Sequence, residues 1–161
     1  MKIIDDFMIP EMFDHIQSVL MGPDFPYYVQ KSTSYANDGN YQLTHLFKND
    51  DGRESAANEL FYSTYDKLGV KELLRSKINF LHGTEEVNVH GMHTDFGTSV
   101  EPYTTSILYL NTCNGYTLFQ DGTKVESVAN RLVTFDGYTR HTGTTCSDEQ
   151  YRLVLNVNYR T

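Results

Sequence analysis

The stretch Val87-Asn88-Val89-His90-Gly91-Met92-His93-Thr94-Asp95-Phe96-Gly97 decides how the rest of the chain reads. Its first four residues alternate apolar and polar, the pattern of an extended backbone. On such a backbone, residues two apart point to the same side, so the His93 imidazole and the Asp95 carboxylate converge on one point. One nitrogen and one oxygen ligand make two corners of a metal site, provided that a third ligand arrives from elsewhere. The spacing decides little by itself: the chain holds six histidines, aspartate is a common residue, and a chance match is easily had.

Around this stretch the sequence changes character. From Lys77 onward, short apolar runs at 77–81, 87–92, 102–111, 116–119, 124–128, 131–135 and 151–159 are separated by turn residues, among them Gly83, Gly97, Asn114-Gly115, Asp121-Gly122 and Asp136-Gly137. Seven short strands so spaced predict a β-sandwich or jelly roll. Upstream, residues 3–9 read as a short strand. Pro10 opens a helix over 10–21, with Met12, Phe13, Ile16, Val19 and Leu20 at helical spacing. Residues 27–36 and 41–47 predict a hairpin around Asp38-Gly39-Asn40. Asn49-Asp50-Asp51-Gly52 predicts a turn, and a second helix is expected from about Ser55 to Leu68, ended by Gly69, with a further helical turn over Lys71–Leu74. Helices first and strands after fit helical support over about 10–76 packed on a β core over about 77–161.

Composition narrows the function. A length of 161 residues fits one domain, and 39% hydrophobic with 21% charged residues is ordinary for a globular protein. No apolar stretch approaches the roughly 18 residues of a membrane span. Met1-Lys2-Ile3-Ile4-Asp5-Asp6 breaks its apolar run with two aspartates, a poor secretory signal. Cys113 and Cys146 lack C-x-x-C spacing, so the expectation is a cytoplasmic protein with two reduced thiols. The formal net charge is -8, and the tightest basic grouping is Arg75-Ser76-Lys77. That argues against nucleic acid; the acidic balance would tolerate a basic or neutral peptide partner, and a small molecule stays open. Oligomeric state is not written in the sequence.

Two residues turn the His-x-Asp match into a site. His141, in Tyr138-Thr139-Arg140-His141-Thr142-Gly143, supplies a third ligand, and two histidines with one carboxylate make the facial triad of non-haem iron, with coordination positions left open. Arg152 opens the last run, Arg152-Leu153-Val154-Leu155-Asn156-Val157-Asn158-Tyr159. Its planar fork suits the distal carboxylate of a 2-oxo acid that chelates the metal. Asn156, four residues on, shares the face of Arg152 and is a candidate for the same carboxylate.

Together these residues resemble the Fe(II)/2-oxoglutarate-dependent dioxygenases, nearest to the prolyl 4-hydroxylase-like branch. Ile3-Ile4-Asp5-Asp6-Phe7-Met8-Ile9-Pro10-Glu11 is similar to that branch's first strand and helix. His93-x-Asp95 is similar to its first two iron ligands. Ser106-Ile107-Leu108-Tyr109-Leu110-Asn111 is similar to the strand whose tyrosine contacts 2-oxoglutarate. Asn114-Gly115-Tyr116-Thr117-Leu118-Phe119 is similar to its Gly-Gly-x-Leu-x-Phe hairpin strand, but departs at Asn114 and at Thr117, which makes that wall more polar. Arg131-Leu132-Val133-Thr134-Phe135 precedes the distal ligand His141, and Arg152 follows, where collagen-type relatives carry lysine. The resemblance implies a double-stranded β-helix of the jelly-roll or cupin kind, forming a single oxygenase domain over 1–161. It implies Fe(II), 2-oxoglutarate and dioxygen, with ascorbate as an accessory candidate. The implied activity is hydroxylation of a peptidyl residue such as proline, with release of succinate and CO2. His93, Asp95 and His141 would bind the metal and carry catalysis; Arg152, Tyr109 and Asn156 would bind the co-substrate.

Plainer readings stand beside these. Tyr109 could be a core aromatic with a satisfied hydroxyl. His90-Gly-Met-His93 has a zinc-like spacing, but Gly91 breaks it, so His90 reads as a neighbour of the site or a surface residue. His82, His15 and His45 carry no signal. Tyr27, Tyr28, Tyr35 and Tyr41 read as half-buried strand tyrosines before they read as a substrate groove. The rivals to an oxygenase are a non-catalytic cupin-like binding protein, a zinc-dependent enzyme, and an interaction module that keeps only the fold.

Overall fold

The last strand organises the molecule. In the computed structural model, which describes residues 1–36, 38–97 and 100–161, strand β10 spans Tyr151–Arg160. Its alternation gives two unlike faces: Leu153, Leu155, Val157 and Tyr159 on one, Arg152, Val154, Asn156 and Asn158 on the other. β10 pairs antiparallel with β4 (Glu72–His82) on one side and β5 (Thr104–Tyr109) on the other.

The sheet grows outward from this centre. β5 pairs with β8 (Leu132–Asp136), and β8 with β1 (Lys2–Ile4). β4 pairs with β3 (Gln42–Asn49), and β3 with β2 (Tyr28–Gln30). The result is a seven-stranded sheet. A smaller sheet holds β6 (Tyr116–Phe119) between β7 (Lys124–Glu126) and β9 (His141–Gly143). Every strand pairing among the described residues is antiparallel, so the architecture is mainly β and jelly-roll-like.

Two cores follow from the two faces of the large sheet. On the outer face Leu153, Leu155 and Val157 pack with Ile78, Leu108 and the buried side of helix α1 (Pro10–Leu20), which presents Phe13, Ile16 and Leu20. Those three side chains recur at helical spacing, and burying each contributes about 1.5–3 kcal/mol. Pro10 sits in the first turn of α1, where its missing N–H costs nothing. Between the sheets Ile107, Tyr109, Val133, Phe135 and Val154 meet Phe119 and Val125 of the small sheet. No helix among the described residues is long and apolar enough to cross a membrane.

The structure departs from the sequence reading in several places. Lys71–Leu74 is not helical: Gly69 ends helix α2 (Tyr62–Leu68) in the left-handed region at φ 71°, and the Lys71 N–H then donates to the Arg160 carbonyl (2.9 Å), which starts β4 at Glu72. The helix expected from Ser55 is a 3-10 helix over Ala56–Phe61 followed by α2. β2, β3 and the first half of β4 belong to the main sheet, so residue 76 does not divide helical support from β core. Residues 87–92 form no strand; isolated bridges Val89↔Thr144 and His93↔His141 tie this segment down, with bonds from the Asn88 N–H to Thr145 Oγ1 and from Arg140 Nη2 to the Met92 carbonyl. β9 was not foreseen: three residues, two of them polar, give no periodic signal. The strand expected over 3–9 stops at Ile4, and Asp6 turns the chain at φ 49°.

The β2–β3 hairpin exists, with a longer connection than a three-residue turn. The Asp38 carboxylate gathers that connection, accepting from the Thr33 N–H (2.9 Å), the Thr33 hydroxyl (2.9 Å) and the Ser34 N–H (2.7 Å). Burial alone would raise the Asp38 pKa, but the bonds from Ser34, Asn40 and Thr33 hold it well below the usual carboxylate range. Thr33 and Ser34 of this connection line a cleft together with Arg152, Val154 and Asn156 of β10.

Candidate functional site

His93 and His141 are laid side by side by backbone. Each donates its N–H to the other's carbonyl, both at 2.9 Å, and the ring centroids stand 5.1 Å apart. Each Nδ1 faces a carbonyl two residues earlier: His93 Nδ1 meets Gly91 O at 2.9 Å and His141 Nδ1 meets Thr139 O at 3.0 Å. A carbonyl only accepts, so both Nδ1 atoms carry the proton and both Nε2 atoms keep a free lone pair. This is the tautomer a metal ligand needs, fixed from behind by the backbone. Burial, with a smaller contribution from His141, also pushes the His93 pKa down and favours the neutral ring.

Asp95 completes the set. One ligand atom from each of His93, Asp95 and His141 lies within 4.8 Å of the others. The Asp95 side chain is only 4% exposed, and four side chains hold it. Arg75 Nη2 donates to Oδ1 at 2.6 Å, Asn158 Nδ2 to Oδ2 at 2.9 Å, Asn156 Nδ2 to both oxygens at 3.3 and 3.2 Å, and Thr105 Oγ1 to Oδ2 at 3.4 Å. Burial works to raise this carboxyl's pKa, but the Arg75 guanidinium, the neighbouring His141 and the Lys77 ammonium, with the Asn158 bond, hold it far below the usual range. Asn158 is fully buried and acts as a bracket: its amide donates to Asp95 and to Thr105 Oγ1 (3.0 Å), and its Oδ1 accepts from Arg75 Nε (3.1 Å). Arg75 is braced from its other side by the Phe96 ring, 4.6 Å away.

At the other end of the cleft stands Arg152, 1% exposed. Nε donates to Ser127 Oγ (2.6 Å), Nη1 to the Thr144 carbonyl (3.3 Å) and Nη2 to Thr117 Oγ1 (3.3 Å). A guanidinium has five N–H donors, so two remain without a protein acceptor among the described residues. No carboxylate there pairs with it either. A buried cation without an anion is costly. Gly115 makes room for this side chain: a Cβ at residue 115 would stand 2.6 Å from Arg152 Cδ and 2.7 Å from Thr145 O. The glycine of the Asn114-Gly115 pair is thus required by the arginine.

Tyr109 is fully buried, with its hydroxyl 2.8 Å from Thr117 Oγ1 and 3.3 Å from the Val125 carbonyl and its ring 5.5 Å from the Arg152 guanidinium carbon. It lies behind the cleft lining, whereas Thr117 is in it. Asn156 also differs from the sequence reading. Asp95 accepts only, so Nδ2 must face it, and Oδ1 is left buried with no partner among the described residues. An acceptor has nothing to offer a carboxylate, and Asn156 serves as a support of Asp95.

One cleft lining joins His93, Asp95 and His141 to Arg152, Thr117 and Asn156, and adds Lys77, Asn79, Gln42 and Ser34. The half-buried Lys77 ammonium makes no ion pair among the described residues, and burial, with help from Arg75, pushes its pKa down to about 8. Arg75, Lys77, Thr105 and Asn158 were missed from sequence. The available signal was period-two alternation: Arg75, Lys77 and Asn79 share one face of β4, and Arg152, Asn156 and Asn158 one face of β10.

The remaining candidates sort simply. His90 lines the cleft as a neighbour of the triad. His82 stacks on Tyr41, and His45 is a buried structural residue held by Pro26 O and Ser55 Oγ. Tyr28, Tyr35 and Tyr41 are exposed, and the Tyr27 hydroxyl donates to Leu20 O at 2.9 Å. Cys113 and Cys146 are buried free thiols.

No family model matches the chain, and no curated protein matches it. Solved structures do. An oxidoreductase of the 2OG-Fe(II) oxygenase family from Burkholderia pseudomallei superposes with a TM-score of 0.75 at 13% identity, over 98% of this chain and 83% of its own. A prolyl-4-hydroxylase from Pseudomonas putida gives 0.67 at 14%, over 99% and 92%. A prolyl hydroxylase from Trichoplax adhaerens, in complex with a peptide fragment of the hypoxia inducible factor oxygen degradation domain, gives 0.70 at 14%, over 98% and 82%. The chain has the fold of the 2OG-Fe(II) oxygenases, prolyl hydroxylases among them.

Proposed function

We propose that this protein is an Fe(II)- and 2-oxoglutarate-dependent oxygenase whose residues 1–161 act as a single domain, its two sheets forming a double-stranded β-helix. The observation that carries the reading is the buried, unpaired Arg152 guanidinium in the same cleft as two histidines with free Nε2 atoms and a carboxylate. The donor set suits Fe(II): two imidazole nitrogens and one carboxylate oxygen are the facial arrangement that leaves positions open. The likeness to solved 2OG-Fe(II) oxygenases supports the same reading.

His93, Asp95 and His141 would hold the metal. Bound iron supplies activation of dioxygen and oxidative decarboxylation of 2-oxoglutarate, so that one oxygen atom enters succinate and the other a substrate C–H bond, with release of CO2. The chain's own residues prepare this. Gly91 O and Thr139 O keep both rings in the binding tautomer. Arg75 and Asn158 keep Asp95 ionised and fix its direction. Arg152 offers two N–H donors to the distal carboxylate, each such charge-assisted bond worth about 1.5–3 kcal/mol. Tyr109 supports Arg152 and Thr117 from behind. The apolar wall of Ile107, Phe119, Phe135 and Val154 keeps water from the space between the sheets.

A peptidyl residue such as proline and a small molecule would enter by the same cleft. The prolyl hydroxylase solved with a peptide supports the first; the lysine inside the cleft supports the second. Incubation with Fe(II), 2-oxoglutarate, oxygen and ascorbate as reductant should release succinate, and His93→Ala should release none. Succinate no higher in the wild type than in His93→Ala, across a broad substrate panel, contradicts the proposal. A zinc enzyme or a non-catalytic cupin-like protein would give that result.

A further inference from the structure

The cleft has a second pole that the co-substrate does not need. Four buried side-chain N or O atoms lack a hydrogen-bond partner among the described residues, and three of them, Ser34 Oγ, Asn79 Oδ1 and Asn156 Oδ1, line this cleft. Lys77 stands among them, with neither an ion pair nor a hydrogen bond to another described side chain. A groove lined by Gln30, Ser32, Thr44 and Leu46 shares Thr33, Ser34, Gln42 and Lys77 with the cleft, so Lys77 lies where the way in meets the site.

Direct contacts separate Lys77 from the rest of the site. The proposed iron is balanced by Asp95 and the near carboxylate of 2-oxoglutarate, and Arg152 by the far carboxylate. Arg75 shares the Asp95 charge with the iron but is held by fixed contacts, 2.6 Å to Asp95 and a bond to Asn158. Lys77 is left as the cleft cation without a direct ion pair or side-chain hydrogen bond among the described residues, inside a protein whose formal net charge is -8. A half-buried ammonium needs an anion, and the unpartnered Asn79 and Asn156 oxygens need N–H or O–H donors.

We propose that Lys77 anchors the substrate itself, and that this substrate is a small acid carrying a carboxylate and, close by, an N–H or O–H donor, as in a free amino acid, not an internal residue of a peptide. The carboxylate sits on the Lys77 ammonium, and the donors sit on Asn79 Oδ1 and Asn156 Oδ1. Such a molecule supplies both the charge and the donors that the cleft lacks, whereas a chain-internal proline supplies neither.

This inference rests on the oxygenase reading, and one experiment separates their failures. Protein loaded with redox-inert Ni(II) is titrated with 2-oxoglutarate. The ternary protein is then titrated with the free L-amino acids and with their carboxamides, followed by ligand-observed NMR and by thermal shift. Wild type should bind 2-oxoglutarate and at least one amino acid, with its carboxamide bound at least tenfold more weakly. Lys77→Met should lose that preference yet hold 2-oxoglutarate within threefold, and Lys77→Arg should keep it. Without ligands Lys77→Met should melt no lower than wild type, since it removes an unpaired charge, which shows that the loss is not unfolding. Failure of wild type to bind 2-oxoglutarate overturns the oxygenase reading. If it does bind, then equal affinity for acid and amide, no binding by any panel member, or loss of 2-oxoglutarate binding in Lys77→Met overturns the inference alone.

Discussion

The two faces of β10 share one backbone and differ in almost everything else. The outer face, Leu153, Leu155, Val157 and Tyr159, meets helix α1 and the outer core, and its side chains are nearly dry. The inner face, Arg152, Val154, Asn156 and Asn158, is as well buried but mostly polar. There, among the described residues, a guanidinium has no carboxylate and an amide oxygen has no partner. One face satisfies itself within the chain; the other awaits ligands. Stability and function are thus divided by the side on which a residue falls, and a shift of one residue in register would exchange them.

Substitutions on the two faces should therefore fail differently. Arg152→Leu should weaken 2-oxoglutarate binding by roughly 100-fold or more, the loss of two charge-assisted bonds, with little loss of melting temperature because a buried unpaired charge goes too. Calorimetric titration of metal-loaded protein measures the first effect and a thermal melt the second. Leu155→Ala, three positions along on the opposite face, should do the reverse: about 2–5 kcal/mol of stability lost in urea unfolding, with co-substrate affinity kept at temperatures well below the melt. If Leu155→Ala weakens 2-oxoglutarate binding as much as Arg152→Leu does, the division between the faces is wrong.

A smaller effect belongs to the loop over the cleft. Asp38 has a folded pKa below its unfolded value near 3.9, because its backbone and hydroxyl partners outweigh burial. Its contribution is complete above the unfolded pKa and is lost as pH falls through the folded one. The amides of Thr33 and Ser34 should then be protected from hydrogen exchange at neutral pH in wild type. That protection should drop toward the level of Asp38→Ala below about pH 4, corrected for intrinsic rates. Equal protection in the two proteins at pH 7 would show that Asp38 does not hold the loop.

What sequence could reveal followed from what physics writes locally. His93, Asp95, His141 and Arg152 were legible because each sits in a short run with its own pattern, and six of the seven strands expected after Lys77 followed from apolar runs between turn residues. The supports of Asp95 were hidden. Arg75, Thr105 and Asn158 come from β4, β5 and β10, and only the pairing registers Asn158↔Thr105 and Asn158↔Arg75 bring them together. Alternation had placed Asn156 on the correct face, but carrying the same step to Asn158 required knowing where Asp95 lies. Lys71–Leu74 looked helical because a leucine pair suits either structure; the bond from Lys71 to Arg160, far along the chain, decided for the sheet. Lys77 counted in the sequence only toward the tightest basic grouping, since nothing local shows that the β4 face turns inward.

The central claim is that one cleft holds iron and 2-oxoglutarate together. The direct measurement is addition of 2-oxoglutarate to the anaerobic Fe(II)-loaded protein while the visible spectrum is recorded. The account predicts a new absorption band that saturates with 2-oxoglutarate and that Arg152→Leu shows only at far higher concentration. An unchanged spectrum in wild type, with iron bound, would contradict it.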